Sequence, residues 1–168
     1  MDCASSILIF AKKNEMRKNI WSSLIVLFFL ISCQPSSEEL FEAGIVALDK
    51  QDFETAIGHL NRLVENDTSH APAWNARGVI FFQTGKWDDA IDSFSRSIDL
   101  DESNYKPFFN RGNVYMEKEE YKMALVDYNR ANGLDINQVD IYYNRGLALL
   151  GLEMYEDALI DFDKALHA

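Results

Sequence analysis

Three histidines, two cysteines and 27 carboxylates are the groups from which catalytic or metal-binding chemistry would be built. His59, His70 and His167 stand far apart, and none has a second His or Cys at the short spacing a metal ion demands. The cysteines are Cys3 and Cys33, so the chain beyond residue 33 forms neither a disulfide nor a thiolate metal site. There is no glycine-rich phosphate loop, no dinucleotide turn and no nucleophile elbow. Acidic runs such as 117–120 and Asp88-Asp89 fall at turns and helix starts, where solvated carboxylates favour the helix dipole. The expectation is a chain that is not an enzyme and uses no cofactor and no metal.

A polar pair does repeat. Arg77, Arg111 and Arg145 recur at one spacing, and sixteen residues after the last two come Asp127 and Asp161. The first repeat has Ala43 and His59 at these two places, and the second has Ser93, with Asp92 beside it. Replacement of both members together predicts that they touch across two helices as a structural ion pair. Its rupture at Asp127→Ala is expected to cost more than at Arg111→Ala.

These positions belong to a larger period. At a spacing of 34, residues 37–70, 71–104, 105–138 and 139–168 align without a gap. Gly44, Gly78, Gly112 and Gly146 coincide, as do Ala56, Ala90, Ala124 and Ala158. Large residues coincide too: Leu40, Trp74, Phe108 and Tyr142; Phe53, Trp87, Tyr121 and Tyr155; Leu60, Phe94, Tyr128 and Phe162. In each unit the first set falls at i, i+4, i+7, as in Trp74, Gly78 and Phe81, which is one face of a helix. Ala90, Ile91 and Phe94 mark a face of a second helix. Small Gly and Ala let the two backbones approach, and Asp67, Asp101 and Asp135 mark the turn to the next pair. No single pair buries its apolar face, so the units must stack.

This pattern resembles the tetratricopeptide repeat (TPR) over residues 37–168. The resemblance implies an all-α solenoid of four helix-turn-helix units wound into a right-handed superhelix. Departures are small: Thr68, Glu102 and Ile136 stand where a proline is usual, and Gly85 alone keeps the small residue of the inner turn. No further helix follows the fourth unit, so Leu159, Ile160, Phe162 and Leu166 are expected to leave apolar surface open for self-association through the C-terminal helix.

In this family the first helices line the concave surface. By register that face carries Phe41, Ile45 and Leu48, then Asn75, Val79 and Phe82, then Phe109, Asn113 and Met116, then Tyr143, Leu147 and Leu150. Asn110 and Asn144 flank it. An aromatic groove with a few amides suits an extended peptide or a helix, the amides bonding its backbone and the aromatics holding its side chains. Chaperone-binding members clamp a C-terminal carboxylate with lysine, asparagine and arginine. Phe41 and Ile45 occupy those places here, so that role is not expected.

The N-terminus speaks to location. Arg17 and Lys18 precede Ile20–Cys33, an uncharged stretch of 14 residues. A spanning helix needs about 20, so the stretch fits the apolar part of a secretory signal covering residues 1–32. Leu30-Ile31-Ser32-Cys33 resembles the lipobox of bacterial lipoproteins, which implies cleavage before Cys33 and lipid attachment to it. Met16 is the expected start of translation, since residues 1–15 fit no signal design. Residues 33–36 are then a short stub, and Ser36 with Glu39 forms a capping box for the first helix. Gln34 after the cysteine favours the outer over the inner membrane.

The net charge is −11. Leaving out residues 1–32 removes Lys12, Lys13, Arg17 and Lys18 against Asp2 and Glu15, so the remainder has 12 basic and 25 acidic side chains, a net of −13. Such a body repels phosphate backbones, so nucleic acid is not an expected partner. The sequence therefore predicts a non-enzymatic adaptor at the bacterial cell envelope that binds an envelope protein or peptide in its groove. The alternative is a structural envelope protein that oligomerises through its last helix and has no groove ligand.

Overall fold

The computed structural model describes residues 35–167. The expected signal segment, the expected start at Met16 and the expected lipid site at Cys33 lie outside the described residues. Two compact units separate, Met1–Glu39 and Leu40–Ala168. Of the first, residues 35–39 are described, and they hold a capping box: the Ser36 N–H donates to Glu39 Oε2 at 2.7 Å and the Glu39 N–H to Ser36 Oγ at 3.2 Å.

The described residues form eight helices and no strand. The first helices of the units are α1 (Ser37–Asp49), α3 (Ala71–Gln83), α5 (Tyr105–Glu117) and α7 (Val139–Gly151). Their partners are α2 (Phe53–Asn66), α4 (Trp87–Leu100), α6 (Tyr121–Leu134) and α8 (Tyr155–His167).

Each first helix stops in the same way. Gln51, Gly85, Glu119 and Glu153 take φ of 59°, 72°, 58° and 61°. The next amide then turns back to the last turn, as Lys86 N–H to Phe81 O at 2.8 Å and Glu120 N–H to Tyr115 O at 2.8 Å. Only Gly85 does this without a side chain in the left-handed region. Each of α2, α4 and α6 ends at an aspartate with extended backbone, and the Asp67 and Asp101 carboxylates accept from the N–H and hydroxyl of Ser69 and Ser103. His70 is a cap too: its Nδ1 accepts the Ala73 N–H, so it serves the start of α3.

The aligned glycines set the spacing inside each pair. A Cβ on Gly78, Gly112 or Gly146 would lie 2.5–2.6 Å from the ring of Phe94, Tyr128 or Phe162. The buried clusters run from one unit into the next. Ile80 joins Leu40, Leu60 and Leu63, Val114 joins Ala90 and Phe94, and Ile141 and Ala148 join Phe108 and Tyr128. Each unit thus completes its core with its neighbour, as stacked repeats require. The first helices α3, α5 and α7 also touch in succession, which places them on the inner side of the curved stack.

Two other glycines lack this role. Gly58 on α2 and Gly133 on α6 are exposed, and nothing lies within 4 Å of a Cβ built on either. Alanine at each is expected to raise stability by about 0.5–1 kcal/mol, because glycine loses more backbone freedom inside a helix. Denaturant unfolding of the single variants checks this.

Candidate functional site

The inner face carries a hollow of about 470 Å³ between α3, α5 and α7. Of the groove residues predicted from sequence, Phe82, Asn113, Asn144 and Leu147 line it, together with Met116. The structure adds Glu117, Glu119, Tyr121 and Tyr128, from a helix end, a turn and a second helix.

Other predicted groove residues are engaged elsewhere. Phe41 and Ile45 pack on the Leu40–Leu60 core, and the Phe41 ring lies 4.9 Å from that of His70. Val79 packs beside Phe94, and Phe109 lies 5.9 Å from the Tyr128 ring. Tyr143 is exposed and stands 5.8 Å from Phe162. The amides largely bond one another: Asn110 Nδ2 donates to Asn75 Oδ1 at 3.0 Å, and Asn144 Nδ2 to Asn113 Oδ1 at 3.1 Å. Asn113 Oδ1 also accepts from the Tyr128 hydroxyl at 2.7 Å. These amides stitch successive first helices together, so part of their bonding capacity is used within the stack. Burial, with the Asp127 and Glu117 carboxylates, pushes the Tyr128 hydroxyl far above the usual tyrosine range, so it remains a neutral donor.

The repeated arginines form the second polar system. Arg111 grips Asp127 through Nε and Nη2, both at 2.8 Å, and Arg145 grips Asp161 at 2.6 and 2.7 Å. Each fork has a third bond that the sequence did not reveal. Arg111 Nη1 donates to Ser95 on α4 at 2.8 Å, and Arg145 Nη1 to Asn129 on α6 at 3.0 Å. Each arginine therefore ties its own pair of helices to the preceding one. The carboxylate bonds raise both guanidinium pKa values despite burial. A hollow of about 350 Å³ beside Arg145 and Asp161 contains groups already bonded to each other, so it reads as structural.

Arg77 departs from the pattern. Ser93 bonds the Asp89 carbonyl instead, and Arg77 Nε is buried without a hydrogen bond among the described residues. Its guanidinium lies 4.8 Å over Trp74 and 5.2 Å over Phe81, and burial lowers its pKa. Unit two thus has the arginine without the fork, because serine is too short and neutral to replace the aspartate. Ser93→Asp is expected to recreate the fork and raise stability by about 1 kcal/mol, read as a shift in denaturation midpoint.

On α8, Leu159 and Leu166 are 69% and 80% exposed. Their counterparts one unit earlier, Leu125 and Asn132, are half-buried. Ile160 does not belong to this surface, since its counterparts Gly58, Asp92 and Val126 are exposed in every unit. Phe162 is half-buried against Gly146. Among the described residues, no group of three or more His, Cys, Asp or Glu could hold a metal ion, and no helix is long and apolar enough to cross a membrane.

Family models for the tetratricopeptide repeat match residues 41–105, 112–152 and 139–167. The chain belongs to the tetratricopeptide repeat family. Its repeats form a protein-interaction scaffold, and such repeats are typically non-enzymatic. No curated protein matches the chain. Among solved structures, this TPR chain is similar to the crystal structure of MamA, with 27% identity over 79% of this chain and 77% of that one and a TM-score of 0.75. MamA 41-end from Desulfovibrio magneticus RS-1 gives 15% identity, 99% and 95% coverage and a TM-score of 0.75. The first TPR of Spaghetti (RPAP3), bound to the HSP90 peptide SRMEEVD, gives 19% identity, 70% and 93% coverage and a TM-score of 0.68. The last two likenesses establish the fold.

Proposed function

We propose that this TPR protein is an adaptor at the bacterial cell envelope, tied to the membrane by a lipid on Cys33 and holding a peptide or helix of a protein partner in its inner groove. The observation that carries the groove reading is the hollow between α3, α5 and α7, where Phe82, Met116 and Leu147 meet the Asn113 and Asn144 amides. Apolar walls with a few placed polar groups suit a peptide. The peptide bound by the first TPR of Spaghetti, a protein of the same fold, supports the same reading.

Met116→Ser with Leu147→Ser tests the groove. Affinity capture from membranes should lose its partner while helicity measured by circular dichroism is unchanged; undiminished capture would refute the groove. The anchor is tested separately. Palmitate labelling should vanish in Cys33→Ser, and unchanged labelling would end the lipoprotein reading. Gln34 after the cysteine supports the outer membrane as the destination.

A second reading, self-association through α8, is favoured by the exposure of Leu159 and Leu166. It predicts a dimer by light scattering that Leu159→Asp converts to monomer. A strict monomer at high concentration would rule it out.

A further inference from the structure

We infer that the segment held in the inner groove is cationic, with a lysine or arginine side chain entering the hollow between the Tyr121 ring and the Glu117 and Glu119 carboxylates. This rests on the groove reading and adds the chemistry of the partner. The charged groups lining the hollow are Glu117 and Glu119, both acidic. Among the described residues neither side chain has an ion pair or a hydrogen bond. Lys118, between them in sequence, is committed to Asp88 at 2.8 Å and Glu120 at 3.5 Å, so it neutralises neither.

An aromatic recurs at this position as Phe53, Trp87, Tyr121 and Tyr155, but the seat of Tyr121 is specific to its unit. Tyr121 stands against Gly151, where a Cβ would come 2.7 Å from the ring. The corresponding positions of the other first helices hold Asp49, Gln83 and Glu117, so Gly151 makes the room that seats Tyr121. Among the described residues, Asn113 Nδ2 and Asn144 Oδ1 have no hydrogen-bond partner and are available to a peptide backbone.

A neutral or anionic segment would cover the two carboxylates without replacing their water, which is unfavourable. A guanidinium or ammonium supplies charge-assisted bonds to them and stacks on the tyrosine face. The net charge of −13 beyond residue 32 draws such a segment in from a distance.

The test selects random dodecapeptides on phage against the full chain, then resynthesises the enriched ones and measures affinity by fluorescence anisotropy. The enriched peptides should carry lysine or arginine. Replacing that residue by norleucine should weaken binding about tenfold, and Glu117→Gln with Glu119→Gln should do the same. Asp92→Asn with Asp99→Asn, on the exposed face of α4, should change little. Peptides that depend on Leu147 but lack a cation, or that bind the glutamine variant as well as the parent, overturn the cationic assignment and leave the groove reading standing. Selection of nothing, or of peptides indifferent to Leu147→Ser, overturns both.

Discussion

Arg111→Ala is expected to lower stability by about 3 kcal/mol, and Asp127→Ala by less, with the double variant well short of the sum. The structure reverses the order expected from sequence. The Asp127 side chain is 5% exposed and that of Arg111 is 21% exposed. Loss of the arginine strands a carboxylate in the stack, where it must be protonated or stay desolvated. Loss of the carboxylate leaves a long side chain that keeps Ser95 and can swing towards water. Arg77 shows the outcome of the second case, a guanidinium without a carboxylate resting on Trp74. Denaturant unfolding of the two single variants and the double variant measures the coupling. Strict additivity would show that the contact contributes nothing.

Gly112→Ala is expected to cost about 3 kcal/mol, whereas Gly44→Ala should cost about 1 kcal/mol or less. A Cβ at Gly112 lies 2.6 Å from Tyr128 Cε1, and that ring is fully buried with its hydroxyl fixed on Asn113. Nothing there can yield without breaking the polar seam between α5 and α7. At Gly44 the nearest atoms are Leu60 Cγ and Cδ2 at 2.9 and 3.0 Å, the branched end of an aliphatic side chain. A small rotation admits the methyl, and better helix propensity offsets part of the strain. Equal losses at the two sites would show that the ring does not set the helix spacing.

The fold was legible because the 34-residue period has no gap, so the small and large residues of each helix pair fall in register from unit to unit. The groove was legible only in part. Spacing within one helix places Phe41, Ile45, Val79 and Phe109 on a shared stripe, but it does not show how deeply the next helix covers them. The amide bonds Asn110–Asn75 and Asn144–Asn113 join different units, so no single-helix pattern reveals them. Ser95 and Asn129 stand on the preceding unit, sixteen residues before their arginines, and carry no charge that would mark them as partners. Tyr121 enters the hollow from a second helix. The signal available for it was Gly151, a glycine where the other units carry Asp49, Gln83 and Glu117.

The proposed place where a partner binds is the inner groove. Photo-crosslinking from a benzoylphenylalanine residue placed at Leu147, in the hollow, or at Val126, 62% exposed on the outer face, tests it most directly. A discrete crosslinked protein is expected from position 147 and none from position 126. A crosslink from 126 with none from 147 would contradict it.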